Sequence, residues 1–143
     1  MDKEKLYIIV SNIDEISTKK LKENGVSEYY IYKFVKESIL VREEKGKYKL
    51  KNFNNFYSFG KKMLKEKNID AAIKIFDKCK NIDANFIPVY FQRMIANILQ
   101  ANFNDVLLDL NYLSNNNVIN ENERAYMLYL LSRGISRSVL VGV

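Results

Sequence analysis

The sequence predicts a mainly α protein: a head of three helices and a β-hairpin, then a short array of repeated antiparallel helix pairs. Three observations predict it. Two capped helices stand either side of Gly25, each with an apolar pair bracketing its cap. A strand-like run and an alternating run flank Lys45-Gly46. The segment Asn68-Ile69-Asp70-Ala71-Ala72 recurs in register as Asn102-Phe103-Asn104-Asp105-Val106, and 68 plus 34 is 102.

The head is justified element by element. Leu6, Ile9, Val10 and Ile13 recur at helical spacing and predict the first helix. Ser17-Thr18 offers an N-cap for a second helix that runs through Asn24. Ile16 and Leu21 stand at the two positions of a hydrophobic staple. Gly25 accepts the left-handed backbone that ends such a helix. Ser27 is the next N-cap, and Val26 and Ile31 repeat the staple. Two stapled helices joined through glycine are a helix-turn-helix signature. Ile39-Leu40-Val41-Arg42-Glu43 then reads as a strand, and Lys47-Tyr48-Lys49-Leu50 as its alternating partner. A hairpin directly after a third helix makes residues 1–50 a winged helix-turn-helix domain.

The order of these pieces resembles a known family. Ile16-Ser17-Thr18-Lys19-Lys20-Leu21, Gly25-Val26-Ser27, Leu40-Val41-Arg42 and Gly46-Lys47-Tyr48-Lys49-Leu50 are similar to the N-terminal winged helix of AbiEi-type antitoxins and related transcriptional regulators. The resemblance covers residues 3–50 and implies DNA binding. It also raises an antitoxin-like role in a toxin–antitoxin or defence system. Family antitoxins carry a different C-terminal half.

At roughly 100° per residue, the third helix puts Ile31, Phe34, Val35 and Ser38 on one face and Tyr29, Lys33 and Lys36 opposite, with Tyr32 at the border. The polar face is free to enter a major groove with its N-terminus, at Ser27, near bases or phosphates. Lys33 and Lys36 suit phosphate or guanine. Tyr29 and Tyr32 can bond phosphate or stack on sugar and thymine methyl groups. Arg42, Lys45 and Lys47 on the hairpin would reach the flanking backbone. Glu28, Glu37, Glu43 and Glu44 dilute the positive field, which keeps open an adaptor whose winged helix docks protein instead of DNA.

Residues 53–143 are predicted to be the repeat array, because the tetratricopeptide helix–turn–helix unit recurs every ~34 residues. The first unit, 53–86, resembles that family closely. Phe56 takes its large aromatic position, Phe59-Gly60 the Leu-Gly pair and Met63 the next core position. Asp70 is expected to cap the second helix. Ala72 fills the small site, Phe76 the aromatic site and Cys79 the second small site, while Ala84 stands where the family has proline. The second unit, 87–120, keeps Tyr90 but has Met94 for glycine and Val106 for alanine. Leu107, Leu110 and Leu113 give its second helix an apolar face. A loop is expected over 114–120, then one helix of a third, partial unit over 121–133, carrying Ala125, Leu128, Tyr129 and Leu131. An apolar tail, Val139-Leu140-Val141-Gly142-Val143, follows. The concave surface is predicted to take a protein or peptide partner through Tyr57, Lys61, Lys65, Phe91 and Ile95, or to support a homodimer. Its mixed basic and apolar character suits a helix or apolar peptide.

Composition narrows the function. The 143 residues include no His and one Cys, which removes the commonest general base, the commonest metal ligand and any internal disulfide. No DxD-like carboxylate cluster stands in for them, so neither an enzyme nor a cofactor or metal is expected. Cys79 is expected to be structural and buried. Charge is uneven: residues 1–50 carry +2, 51–80 carry +5 and 81–143 carry −1. A basic first half favours a polyanion through counterion release. No apolar run spans a membrane, and the opening Asp2-Lys3-Glu4-Lys5 is unlike a signal peptide, so a cytoplasmic location is expected. The leading expectation is a DNA-binding, transcription-regulator-like protein with double-stranded DNA as partner and a helical half for dimerisation or partner binding.

Overall fold

The computed structural model describes the backbone of residues 1–141 and the side chains of residues 1–133. Eight helices and a two-stranded sheet make up the described residues: α1 Lys3–Asn12, α2 Thr18–Glu23, α3 Glu28–Lys36, β1 Leu40–Glu44, β2 Lys47–Leu50, α4 Phe53–Lys65, α5 Ile69–Ile82, α6 Pro88–Leu99, α7 Phe103–Asn115 and α8 Glu121–Val141. The chain divides into two compact units, Met1–Ile82 and Asp83–Val143. The boundary expected after residue 50 therefore falls inside the first unit.

Local chemistry sets the helix starts of the head. The side chains of Asp2, Ser17 and Ser27 accept from the backbone N–H groups of Lys5, Lys20 and Tyr30, which would otherwise lack intrahelical partners. Both staples close: Ile16, Leu21, Val26 and Ile31 are buried. The hairpin is antiparallel, pairs Leu40 with Leu50 and Arg42 with Tyr48, and shifts register between Arg42 and Glu44. Residues 16–18 run along its other edge. Thr18 N–H donates to Gly46 O at 2.9 Å and Tyr48 N–H to Ile16 O at 2.8 Å, so the hairpin tip is fastened to the start of α2.

The helices stop in a repeated way. After α2, α3, α4, α6 and α7 a single residue takes the left-handed backbone: Gly25, Ser38, Lys67, Ala101 and Asn117. The next N–H then reaches back to close the turn, from Val26 to Leu21 O, Ile39 to Phe34 O, Asn68 to Met63 O, Asn102 to Asn97 O and Val118 to Leu113 O. This is the Schellman arrangement, which satisfies carbonyls at the helix end. Two of these stops keep the interval seen in the sequence, at Lys67 and Ala101. The helix starts that follow them keep it too, α5 at Ile69 and α7 at Phe103. The sequence spacing is therefore a spacing of backbone geometry. No strand lies between residues 53 and 113.

Three expectations need correction. Ser38 is not on the apolar face of α3, because the helix ends at Lys36 and Ser38 is the exposed left-handed stop. Asp70 is not a cap. It sits inside the first turn of α5, where a carboxylate meets the positive helix end. The helix expected over 121–133 runs on to Val141, so Gly134 does not end it. The apolar tail lies outside the residues whose side chains are described. The chain's one proline, Pro88, opens α6, where a missing N–H costs nothing.

Within the first unit, α4 is covered from two sides, by α5 and by α1. Phe56, Phe59, Gly60, Met63, Ala72, Ile75, Phe76 and Cys79 are buried there. Tyr7 of α1 packs its ring 5.3 Å from Phe56 and 5.7 Å from Phe59, and burial pushes its phenol pKa up. Polar ties reinforce the join. Lys78 Nζ donates to Ile13 O at 2.8 Å and Asp14 O at 3.1 Å, and Lys74 Nζ to Asn12 Oδ1 at 2.9 Å. Lys62 pairs with Glu4 at 2.7 Å. In the second unit Tyr90, Val106, Leu110, Leu113 and Ile119 form the core. The Tyr90 and Tyr112 rings stack 4.4 Å apart, and both hydroxyls donate to Ala84 O.

The packing makes two positions testable. A methyl on Gly60 would come within 2.7 Å of Phe76 Cε1 and 2.9 Å of Ile75 Cγ2. Gly60→Ala should therefore destabilise the protein by about 1–3 kcal/mol despite the better helix propensity of alanine; urea unfolding that leaves stability unchanged or raised would refute the close approach. Cys79 is fully buried and its thiol pKa is pushed up to about 12 by desolvation. The native protein should resist a thiol reagent at neutral pH and react once unfolded in denaturant.

Candidate functional site

Helix α3 separates two faces sharply. Ile31 and Phe34 are buried. On the other side Tyr29 is 65% exposed and Tyr32 66%. Large aromatics left in solvent on so short a helix need an explanation that packing does not supply. Tyr29, Tyr32, Lys33, Lys36 and Glu37 surround one shallow hollow of about 440 Å³. Tyr32 also lines a second, of about 330 Å³, with Thr18, Glu28, Ile31, Val35, Arg42 and Tyr48. Arg42 of the hairpin thus shares a hollow with Ile31, Tyr32 and Val35 of α3, and only Tyr32 is common to it and the hollow around Tyr29, Lys33 and Lys36.

The charges are partly answered from within. Lys33 lies 4.0 Å from Glu37, one helical turn on. Lys47 sits 3.5 Å from Glu44 and 3.9 Å from Glu15. Glu28 is held by Lys22, whose hydrogen bond and charge draw its carboxyl below the ordinary range. Lys36, Arg42 and Lys45 carry no ion pair among the described residues. These pairs are exposed and open readily to a competing phosphate, because surface ion pairs contribute little. Ser27 is exposed, but its hydroxyl oxygen accepts from Tyr30 N–H at 3.4 Å, so it starts the helix as well as standing near its approach.

The residues expected to hold a partner fall in both units. Tyr57 is a core residue, 8% exposed with its ring 6.0 Å from that of Phe76, and offers no binding surface. Lys61 and Lys65 are exposed, with Lys61 Nζ 5.0 Å above the Tyr57 ring. In the second unit Phe91 and Ile95 line an apolar hollow of about 270 Å³ between α6 and α8. Val106 and Leu110 of α7 also line it, and Met127, Leu130 and Leu131 close it from α8. Sequence reasoning missed Met127 and Leu130. They lie in an apolar run, 125–131, whose period is blurred by Tyr126 and Tyr129. Arg124 fixes α8 to α7 by donating from Nη2 to Asn111 Oδ1 at 2.8 Å.

The described residues hold no group of three acidic, His or Cys side chains placed to share a metal ion. Among them, no helix is long and apolar enough to cross a membrane. No protein family, curated protein or solved structure matches the chain.

The hollow has a soft rim and a hard floor. Ile95 is 46% exposed and Val106 is 3% exposed. Ile95→Asp should change unfolding free energy by no more than ~0.5 kcal/mol, and Val106→Asp should cost at least ~2 kcal/mol. Equal losses in a urea titration would mean that Ile95 is core, not rim.

Proposed function

We propose that the chain is a DNA-binding, regulator-like protein whose first unit engages duplex DNA through α3 and whose helical half docks a protein partner. The observation that carries this is the exposed face of α3, where two tyrosines stand in solvent beside Lys33 and Lys36. In a winged helix-turn-helix that face belongs to the major groove. Tyrosine hydroxyls and lysines then meet phosphate, and the tyrosine rings meet sugar and methyl groups. Arg42 and Lys45 extend the contact to the flanking backbone, and Lys47 joins them if phosphate displaces Glu15 and Glu44. The eight positive charges of residues 51–80 against three negative ones add a non-specific attraction.

The reading includes a tetratricopeptide-like identity for residues 53–143, supported by the matched interval between helix starts and between helix stops. It also includes a cytoplasmic, non-enzymatic role and the likeness of the head to AbiEi-type regulators, with an antitoxin-like role as one form of it. A second reading rests on the carboxylates of Glu37, Glu44 and Glu15 beside Lys33 and Lys47. There the exposed tyrosines dock a protein, and the chain is an adaptor.

A titration of duplex DNA over a salt series separates the two. Changing Lys33 and Lys36 together to Ala should weaken binding at least tenfold, about 1.4 kcal/mol. The log–log salt slope should fall by about two. Lys61 and Lys65 changed to Ala should do much less. If the α3 variant binds as the parent does, or if the parent does not bind duplex at all, the adaptor reading becomes the better account.

A further inference from the structure

Four residues of α8 have the spacing of a two-helix seam. Glu123, Tyr126, Leu130 and Arg133 follow one another at steps of three, four and three, the a and d positions of a heptad pattern. All four are exposed, Tyr126 by 61% and Leu130 by 46%. The inner face of the helix is already used: Met127, Leu128 and Leu131 pack on the core of the second unit, and Arg124 bonds Asn111. Over residues 121–133, α8 therefore has one face committed and a second, with Tyr126 and Leu130 between Glu123 and Arg133, in solvent.

The charges on that second face are complementary to their own reversal. Between Glu123 and Arg133 an acid stands at the first position and a base at the last, and Arg137 and Leu140 continue the spacing in the sequence. An antiparallel copy, placed about a two-fold axis level with Leu128, sets Glu123 opposite the partner's Arg133 and Tyr126 opposite the partner's Leu130. A parallel copy would set like charge against like. Opposed helix dipoles favour the antiparallel choice as well.

We infer that a second copy of this chain docks antiparallel along the Glu123–Tyr126–Leu130–Arg133 stripe of α8. This deepens, and rests on, the reading of the helical half as the docking half. Side-chain geometry prepares the ends of the stripe. Glu123 N–H donates to Asn120 Oδ1 at 2.8 Å and Glu123 Oε1 accepts from Asn120 N–H at 3.2 Å, a reciprocal cap that leaves Oε2 for the partner. The Arg133 guanidinium lies over the Tyr129 ring at 5.7 Å, with Nη1 3.4 Å from the Tyr129 hydroxyl. Leu130 also lines the apolar hollow between α6 and α8, so a helix laid on the stripe reaches the mouth of that hollow.

Sedimentation equilibrium of the full chain at low salt, from low to high micromolar concentration, tests this. The parent should show a reversible monomer–dimer equilibrium. Arg133→Glu brings acid against acid and Glu123→Arg brings base against base, and each should weaken the dimer about tenfold. An equimolar mixture of the two variants restores both opposite pairs, and should associate within about threefold of the parent. Circular dichroism checks that Glu123→Arg keeps its helix without the cap carboxylate. Leu130→Glu, which leaves the cap intact, should also give a monomer. A parent that stays monomeric throughout overturns the proposal, as does a dimer indifferent to all three variants. The DNA titration is independent of either result, so a monomer that still binds duplex through α3 overturns the second copy alone. The stripe would then belong to a helix of another protein.

Discussion

The first unit depends on one packing event, the seating of Tyr7 against Phe56 and Phe59. The ring is almost fully buried. It comes from the first helix of the chain and lands on α4, which the sequence alone assigns to a different domain. Around it Lys78 caps the carbonyls at the end of α1 while Lys74 and Lys62 hold its flank. Buried aromatic contact and charge-assisted hydrogen bonds together make a join that neither would make alone. Its consequence for function is geometric. Helix α3 and its hairpin are carried on a body that includes α4 and α5. The exposed tyrosines are therefore presented from a platform that extends from Met1 to Ile82, not from a small head on a linker.

Local features were legible in the sequence and non-local ones were not. Ser17 and Ser27 were readable because a cap acts on an N–H only three positions away, and the staples because they too are local. The matched interval was readable because the same spacing separates the sequence segments and the backbone turns at Lys67 and Ala101. Tyr57 was misread because its ring packs 6.0 Å from that of Phe76 on α5, a contact that the spacing within α4 does not announce. The helix expected over 121–133 continues through Gly134, and four of the five left-handed stops here use residues other than glycine. The α1–α5 join left no sequence signal, since Lys78 and Ile13 are 65 residues apart.

The candidate interface shows the same division. The alternation of buried and exposed faces on α3 follows from its sequence, and the exposure of Tyr29 and Tyr32 agrees with that. What the sequence could not give is which lysines are already engaged. Lys47 looked equivalent to Lys45 on paper, but the fastening of β2 to residues 16–18 brings it near Glu15. Electrostatic pairing across elements is a property of the fold, and it decides which positive charges meet an incoming ligand without first releasing a carboxylate.

The repeated helix stop has a consequence for the unfolded chain. A left-handed conformation costs an L-residue roughly 1–2 kcal/mol, and Ser38, Lys67, Ala101 and Asn117 all accept that cost. A glycine at the same place would relieve the strain, but it would also give the denatured ensemble more conformations to lose, worth about 0.4–1 kcal/mol. The two contributions oppose each other. The chain therefore ends its helices mainly through the closing hydrogen bonds and the burial that follows each stop, not through backbone freedom. Its connections at 66–68 and 100–102 stay short and stiff for that reason. Of the longer connections, 116–120 holds the Asn117 stop and the buried Ile119, so length variation would be accommodated more easily at 83–87, which has no left-handed turn.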